Sequence, residues 1–421
     1  IMPESQPDTL LGPFRVLDLT DEKGYLCGRI LGDMGADVIK VEPPGGDPGR
    51  KIGPFYKDIP DTEKSLYWFA YNINKRGITL NLQTGDGLEL FKKLASRSDF
   101  VIESFPPGYM AELGLDYDTL SKLNPRLIMT SISLCGQKGP RSQFHPSDIV
   151  ASAFGGSMYP TGDHDRAPVH ISFPQACLQG AEEAAIGSLI AHYHRQKTGE
   201  GQYVDASIQE ALGWNAMNLL HFWEFNKVNL KRVGIHRSWS SSSAQRHRVI
   251  WPCKDGYVSF TIYGGKTGAP TNRAIVEWMA GEMEVPEWLK TMDWDNLSIG
   301  VFTEKQFDEF AEPAAAFFLS HTVEELHKGA LSRDMMLYPV FNIADIRKDE
   351  QLEFRGFWQE VPHPELDDSL VYPGPFIKLT ETPLQFKRRA PLIGEHNLEI
   401  YEGELGMSRY DTGLLKQSGV I

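Results

Sequence analysis

Residues 166–212, RAPVHISFPQACLQGAEEAAIGSLIAHYHRQKTGEGQYVDASIQEAL, predict one complete α/β unit. A short extended stretch leads into a helix, a glycine turn follows, and a strand then opens a second helix. The first helix is expected to bury the apolar side chains that recur every three or four residues, namely Leu178, Ala181, Ala185, Leu189 and Tyr193. Arg195 and Lys197 suit the negative end of its dipole, and Gly199 suits a left-handed cap. We therefore expect the helix to end at this glycine.

Cys177 stands near the predicted start of that helix, where the helix dipole favours a negative charge. The helix is also rich in small residues, which let backbone or a ligand approach closely: Gly180, Ala181, Ala184, Ala185, Gly187 and Ser188. Tight helix packing explains this composition at least as well as a ligand site does. Cys177 is therefore the residue on which the functional interpretation of this segment depends.

Towards the N-terminus, predicted strands alternate with predicted helices. Residues 14–20 (FRVLDLT) form a candidate buried strand, a helical pattern covers 21–35, and residues 36–42 (ADVIKVE) supply a second strand. Such strand–helix–strand units place their strands in parallel. The alternation continues to about Leu212, which predicts an α/β fold with an open, doubly wound parallel sheet. No glycine-rich dinucleotide motif follows the first strand, and the glycines there are spaced for helix packing: Gly24, Gly28, Gly32 and Gly35.

The predicted organisation is a large Rossmann-like domain that both chain ends build, with a smaller domain between them. Five segments are expected: 1–212 (large domain), 213–245 (linking helix and serine tract), 246–331 (small α+β domain), 332–370 (linker) and 371–421 (a strand-like start and a helix that return to the large domain). The runs HRVIWPC and YVSFTIY on either side of Asp255 predict a β-hairpin in the small domain.

Composition excludes several classes of partner. The net charge of −14 argues against nucleic acid or an anionic membrane as the main partner. The four cysteines lie far apart without metal-ligand spacing, so neither a zinc site nor a disulfide framework is indicated. No membrane-span-length apolar run and no signal-peptide pattern is visible, and a cytoplasmic location is expected.

Several motifs occur in collinear order along nearly the whole chain: LGDMGADVIKVEPPGGDPGR, NKRGITLNL, DFVIESFPPGYMAELGLDYDTLSKLNPRLI, HRQKTGEGQYVDASI and RRAPLIGEHN. Together they resemble the family III CoA-transferases, the relatives of the carnitine-CoA and formyl-CoA transferases. The resemblance implies two chains interlocked like links. It also implies a reaction in which one aspartate attacks an acyl-CoA, forms a mixed anhydride and then carries CoA as a thioester.

This chain departs from the family at the nucleophile. Counting back from TGEGQ, the family's aspartate falls on Cys177, and residues 166–180 contain neither Asp nor Glu. An acyl-cysteine is a thioester no more activated than acyl-CoA, and it offers no carbonyl carbon onto which CoA can be loaded. The resemblance therefore implies that this chain lacks the anhydride relay.

Other positions that hold CoA in the family also differ. Asp21, Glu22, Lys23 and Gly24 occupy the loop that receives CoA, and its two carboxylates would repel phosphates unless Lys23 offsets them. Ser104 and Glu112 stand where formyl-CoA transferases carry Asn and Arg. The family positions that remain for CoA contacts or caps are Leu80, His145 and Asp148, the last as a helix N-cap, and the glycines around Gly264, Gly265 and Gly268 resemble a mobile loop.

Three hypotheses follow. In the first, the chain is the non-catalytic subunit of a heteromeric CoA-transferase, of the succinyl-CoA:benzylsuccinate type, paired with a homologous subunit that keeps the aspartate. In the second, it is a homodimeric isomerase, racemase or transferase that uses Glu182, Glu183 or Asp148. In the third, it is a binding protein. No tightly bound cofactor is expected; coenzyme A enters as acyl-CoA substrate, held mainly by the partner, beside a carboxylic acid acceptor.

Overall fold

A computed structural model of the protein describes residues 9–144, 147–238, 246–297 and 303–421. His145 and residues 239–245, which include most of the predicted serine tract, lie outside the described residues. The described strands are β1 (Arg15–Leu19), β2 (Asp37–Glu42), β3 (Lys75–Thr79), β4 (Phe100–Glu103), β5 (Ile128–Ser133), β6 (Tyr203–Ser207), β7 (His236–Ser238), β8 (Arg246–Arg248), β9 (Ile250–Pro252), β10 (Tyr257–Ser259), β11 (Tyr338–Pro339), β12 (Trp358–His363) and β13 (Asp368–Pro373).

The α-helices of the described residues are α1 (Tyr25–Asp33), α2 (Leu66–Asn72), α3 (Gly85–Ala95), α4 (Tyr109–Glu112), α5 (Tyr117–Leu123), α6 (Asp148–Phe154), α7 (Ala176–Thr198), α8 (Ile208–Asn215), α9 (Met217–Asn226), α10 (Gly265–Glu282), α11 (Glu287–Thr291), α12 (Glu304–Ser320), α13 (Val323–Ser332), α14 (Ile343–Arg347), α15 (Glu350–Phe354) and α16 (Arg409–Gln417). A π-helix spans Glu399–Glu404. Within the described part of the chain, no helix combines the length and apolarity that a bilayer crossing requires.

The chain forms two compact units. The first comprises the described residues of Ile1–Gly156, Ile171–Asn215 and Glu353–Ile421, and the second those of Ser157–His170 and Ala216–Leu352. The segments expected as linkers, 213–245 and 332–370, do not coincide with the boundaries of these units. Because β11 pairs with β10, residues after 331 extend the second unit, whereas the β12–β13 hairpin belongs to the first.

The first unit is built on a six-stranded parallel sheet in the order β3-β2-β1-β4-β5-β6. All five strand pairs are parallel, which confirms the predicted α/β class. Chain order reverses direction between β1 and β4, as in the doubly wound folds. Loops that follow the carboxyl ends of these two strands therefore diverge and leave a crevice between them.

Helix α7 packs against α1, β5 and β6 through its small residues. The buried positions are Ala176, Cys177, Gly180, Ala181, Ala184, Ala185, Ser188, Ala191 and Arg195. The prediction that Tyr193 shares this face is wrong, because its side chain is 64% exposed. Gly199 adopts the predicted left-handed cap with φ of +84°.

Arg195 does more than complement the helix dipole. Its buried guanidinium donates hydrogen bonds from Nη1 to the carbonyls of Asp99 and Arg126, at 2.9 and 3.0 Å. Those carbonyls stand just before β4 and β5. The arginine therefore links the C-terminal end of α7 to the starts of β4 and β5.

Buried charges join the first three strands of the sheet to α1. Lys75 Nζ lies 2.7 Å from Asp18 Oδ2, and it also donates to the carbonyl of Tyr25 at 2.9 Å. Lys40 Nζ lies 3.3 Å from Asp47 Oδ2, and both lysines are wholly buried. Gly28 brings α1 against Asp18, because a β-carbon at this glycine would overlap the carboxylate.

The C-terminal segment is anchored on the β3 side of the sheet. Asn397 Oδ1 accepts from the Thr79 amide at 2.9 Å, and the Asn81 amide donates to the Val420 carbonyl at 2.7 Å. Arg50 donates to the Pro391 carbonyl at 2.8 Å. The strand predicted from Phe376 is wrong, because the strand near this point is β13, which ends at Pro373, and residues 374–396 contain neither strand nor helix.

In the second unit, β9 and β10 pair antiparallel, which confirms the predicted hairpin. The loop predicted around Gly264 differs, because α10 begins at Gly265 and Gly268 is buried inside the helix. In the first unit, the helix predicted from Asp148 ends at Phe154. Ser147, and not Asp148, is its N-cap, and Ser147 makes no side-chain capping bond.

The contact between Gly28 and Asp18 gives a direct test of the buried charges. Gly28→Ala should lower the free energy of unfolding by about 1–3 kcal/mol, because its methyl group displaces the Asp18 carboxylate. Gly413→Ala is the matched control, since Gly413 is helical and a β-carbon there meets nothing within 4 Å. That control should stabilise by up to about 1 kcal/mol. Urea unfolding measures both, and a Gly28→Ala protein as stable as the control would contradict the close contact.

Candidate active site

The crevice lies at the carboxyl ends of β1, β2, β3 and β4, where a parallel sheet of this order binds ligands. It encloses about 470 Å³. The second residue after β1, Asp21, and the first residue after β4, Ser104, are in contact there. The Asp21 amide donates to Ser104 Oγ at 2.8 Å, and Ser104 Oγ donates to Asp21 Oδ1 at 2.7 Å.

Carboxylates line this crevice, and each has a partner. Asp21 forms an ion pair with Lys23, Asp47 lies 3.3 Å from Lys40 Nζ, and Glu42 Oε2 lies 2.6 Å from Arg50 Nε. None of the described residues that line the crevice is a lysine or an arginine. The cations therefore balance the carboxylates and are not presented to a ligand's phosphates.

The expected CoA-contact residues separate into two groups. Leu80 and Ser104 line the crevice, whereas Lys23 and Gly24 are not among its described lining residues. Lys23 is instead turned onto Asp21, and Gly24 is the N-cap of α1. Glu112, the last residue of α4, is exposed and does not line the crevice.

Cys177 is the second residue of α7 and is 4% exposed. Its amide donates to Asp148 Oδ1 at 3.0 Å, so this carboxylate occupies the position next to the start of the helix. Burial first and Asp148 second raise the pKa of the Cys177 thiol to about 12. The negative charge that the helix dipole favours here is therefore supplied by the Asp148 carboxylate and not by the Cys177 thiol, whose raised pKa keeps it protonated at neutral pH.

The groups around Cys177 are acidic or phenolic, with the exception of Lys23. Glu22 and Asp21 raise the pKa of its thiol further, and Lys23 opposes them. Tyr67 donates its hydroxyl to the Glu22 carbonyl at 3.4 Å. Burial, together with Asp21, raises the pKa of Glu22 itself. The structure thus brings Cys177, Asp148 and the loop after β1 into one electrostatic cluster.

Glu182 and Glu183 do not join this cluster. They follow Cys177 by five and six residues, which places them about 140° and 240° away around an α-helix. Glu182 is exposed and Glu183 half-buried. Their position indicates the other side of α7 from the small-residue face.

Glu103 is a buried carboxyl group next to the crevice that the sequence analysis missed; it precedes Ser104 and does not itself line the crevice. It ends β4, is 3% exposed and accepts a hydrogen bond from the Phe105 amide at 2.7 Å. Burial raises its pKa to about 7. The sequence offered one signal for it: a glutamate ends the apolar run FVIE, and strand ends in this fold lie near the ligand crevice.

Comparison with known proteins decides the family. The model of CoA-transferase family III matches residues 11–397. The chain belongs to the family III CoA-transferases. The resemblance predicted from the motifs is therefore confirmed.

Family III relatives that use succinyl-CoA align along almost the full chain. Succinyl-CoA:(R)-benzylsuccinate CoA-transferase subunit BbsE of Thauera aromatica is 33% identical over 410 residues, which cover 97% of both proteins. The succinyl-CoA–L-malate CoA-transferase beta subunit of Chloroflexus aurantiacus is 30% identical, with 98% of both covered. A CaiB/BaiF family protein from Brucella suis has the same fold, with a TM-score of 0.79 and 25% identity over 94% of this chain and 100% of that one.

The protonation of Cys177 can be measured by alkylation. At pH 8, iodoacetamide should modify Cys177 at least about a hundredfold more slowly in the folded protein than in the unfolded chain, because a pKa near 12 leaves little thiolate. Asp148→Asn should speed the reaction, since it removes a charge that raises this pKa. Glu182→Gln is the control and should change nothing. Peptide mass spectrometry gives the rates, and an apparent pKa below about 9 would contradict the geometry.

Glu103 should make stability depend on pH. Its folded pKa of about 7 exceeds the ordinary 4.5, so the folded state holds the proton more tightly, and its contribution to stability is lost as pH rises between those values. Glu103→Gln should therefore stabilise by up to about 3 kcal/mol at pH 8 and hardly at pH 4. The exposed Glu112→Gln serves as the control in urea unfolding. Equal effects of Glu103→Gln at both pH values would refute the raised pKa.

Proposed function

We propose that this chain is the non-catalytic subunit of a heteromeric family III CoA-transferase. The complex would move CoA from an acyl-CoA donor such as succinyl-CoA to a carboxylic acid acceptor. A homologous partner subunit would supply the nucleophilic aspartate and hold most of the acyl-CoA. The observation that carries the proposal is the buried, protonated Cys177 at the position that the resemblance assigns to that aspartate.

The chemistry of cysteine supports this role. Attack of a thiolate on succinyl-CoA would exchange one thioester for another, with free CoA as the leaving group. A carboxylate instead gives an anhydride whose aspartyl carbonyl CoA can then attack. Cys177 has no such carbonyl, and its thiol is not ionised at neutral pH. It therefore cannot carry CoA between the two acids.

The charges of the crevice point in the same direction. CoA brings several phosphate charges, and phosphate sites normally present lysine, arginine or free backbone amides. Here Lys23 is paired with Asp21, and the described lining offers carboxylates without a lysine or arginine. Weak binding of CoA by this chain follows, with the partner subunit as the main CoA-binding chain.

Exposed apolar surface supports a stable partner. Along one side of α7, Ile186, Ile190 and Tyr193 are 49%, 64% and 64% exposed. In the second unit, α9 leaves Leu220, Trp223 and Phe225 at least 49% exposed. Large apolar side chains grouped on a helix are typical of surfaces that another chain covers. An interlocked pair of homologous subunits would bury them.

The four free cysteines, Cys27, Cys135, Cys177 and Cys253, fit a reducing compartment. We therefore place the complex in the cytoplasm, where acyl-CoA substrates are used. The benzylsuccinate relative suggests an aromatic acceptor acid as the first to assay.

Substitution of Cys177 within the complex tests the proposal. Cys177→Ala should leave the rate of CoA transfer from succinyl-CoA within about twofold of wild type, because the residue takes no part in the chemistry. Cys135→Ala is the control for a cysteine outside the cluster. A loss of about a hundredfold for Cys177→Ala alone would reject the proposal, since that is the effect of removing a group that acts in the reaction.

The isolated chain gives the complementary result. Without its partner it should exchange no CoA between succinyl-CoA, acetyl-CoA or an aryl-CoA and their free acids. Turnover by the isolated chain would instead support a homodimeric enzyme with altered chemistry. Asp148 would then be the residue to substitute first, since its carboxylate adjoins Cys177.

A further inference from the structure

A second cavity of about 400 Å³ lies in the first unit, and its described lining shares no residue with the crevice. One wall comes from β12. The other comes from the basic run Lys387, Arg388 and Arg389 and from His396. We call this cavity the basic cleft.

A hydrogen bond from the backbone of β3 determines which nitrogen of the neutral His396 ring carries the proton. The Gly77 amide donates to His396 Nδ1 at 3.1 Å, and the His396 amide donates back to the Gly77 carbonyl at 2.9 Å. Since a backbone N–H can only donate, Nδ1 must carry the lone pair. The proton of the neutral ring is then on Nε2. Burial, together with the charges of Arg388 and Arg76, keeps the pKa of His396 below its usual value.

Arg388 faces that proton. Its Nη1 lies 3.4 Å from His396 Nε2, and a guanidinium nitrogen can only donate. The N–H groups of Arg388 Nη1 and His396 Nε2 are therefore neighbouring donors, and neither can accept a hydrogen bond from the other. Such a pair is satisfied when one oxygen atom accepts from both.

The carboxylates of the basic cleft do not supply this oxygen. Glu395 is held by Arg389 through two contacts of 2.8 and 3.0 Å, and Arg389 Nε lies 2.7 Å from Glu365. Glu360, the remaining carboxylate of the lining, is exposed. Among the described residues, no carboxylate lies within ion-pair distance of Lys387 or Arg388.

The backbone that carries the two cations is held in place. Asn74 donates its amide to the Arg388 carbonyl at 3.0 Å, and its side-chain oxygen accepts from the Lys387 amide at 2.7 Å. Asn74 Nδ2 donates in turn to the buried Asp33 at 2.7 Å. The backbone that carries these donors is thus held in place before any ligand arrives, which reduces part of the entropy cost of binding, although the Lys387 and Arg388 side chains are themselves exposed.

We propose that the basic cleft binds a phosphate group, with one phosphate oxygen accepting from both Arg388 Nη1 and His396 Nε2 and Lys387 balancing the second charge. A phosphate dianion fits two unpaired cations better than a single carboxylate does. The group could belong to inorganic phosphate or to the 3′-phosphate of a CoA ester. The inference does not depend on the proposed function.

Isothermal titration calorimetry of the purified protein with inorganic phosphate tests the site, in phosphate- and sulfate-free buffer at pH 7.5 and fixed low ionic strength. We expect saturable binding that Arg388→Gln weakens at least about tenfold and Lys387→Gln weakens less. The control is the double variant Lys122→Gln/Lys416→Gln, which removes two exposed cations of the same unit outside the cleft. It should keep the wild-type affinity within about twofold.

Two further comparisons complete the test. CoA against dephospho-CoA identifies the source of the phosphate group, and succinate against phosphate identifies the class of anion. CoA that binds more tightly than dephospho-CoA, with the difference lost in Arg388→Gln, would support the site and assign it to the 3′-phosphate. Equal binding of the two, with inorganic phosphate still sensitive to Arg388→Gln, would support it as a site for free phosphate. The proposal is overturned if phosphate does not saturate, if Arg388→Gln binds it as wild type does, or if succinate binds as tightly as phosphate.

Discussion

The buried ion pair between Asp18 and Lys75 holds together the part of the sheet on which the crevice depends. Asp18 lies in β1, and Lys75 begins β3 and also binds a carbonyl of α1. Burial opposes the charge of Asp18, yet Lys75 and Lys40 hold its pKa below the usual range. Removing one member of such a pair leaves the other charged and buried, at a cost of about 3–5 kcal/mol. The first three strands and α1 therefore keep one arrangement.

That arrangement also decides the charge of the crevice. Lys40 turns inward to Asp47, and Arg50 turns inward to Glu42 while its guanidinium stacks on Trp68 at 3.8 Å. The cations near the strand ends are thus paired with buried carboxylates and are not available to a ligand. The same region supplies rigidity and lacks free positive charge, which suits a chain that supports a partner's chemistry.

The sequence predicted the parallel sheet because strands and helices alternate with clear periodicity from Phe14 to Leu212. It predicted the cap at Gly199, since one residue type suits a left-handed conformation. It predicted only part of the buried face of α7: Ala181 and Ala185 are buried, whereas Tyr193 is exposed, because close packing against α1 favours alanine and glycine. Hydrophobic spacing alone does not report how near a neighbouring helix approaches.

Site residues could be predicted where the residue type at a motif position was sufficient. They could not be predicted where their role depends on which charged side chain they pair with. Cys177 and Ser104 were singled out from motif positions; Ser104 lines the crevice, whereas Cys177 is buried at the start of α7 and is not among the described lining residues. The helix dipole does not suffice to ionise Cys177, because burial and Asp148 outweigh half a charge at a helix end. Lys23 looked available for phosphate, yet it pairs with Asp21, two residues away. Such pairings depend on side-chain geometry that no spacing rule contains.

Native mass spectrometry of the complex isolated from its own source, with identification of each subunit, would show whether this chain is paired with a catalytic homologue. We expect two different homologous chains in equal number, of which the second carries Asp at the position equivalent to Cys177. A complex that contains this chain alone and transfers CoA would contradict this expectation.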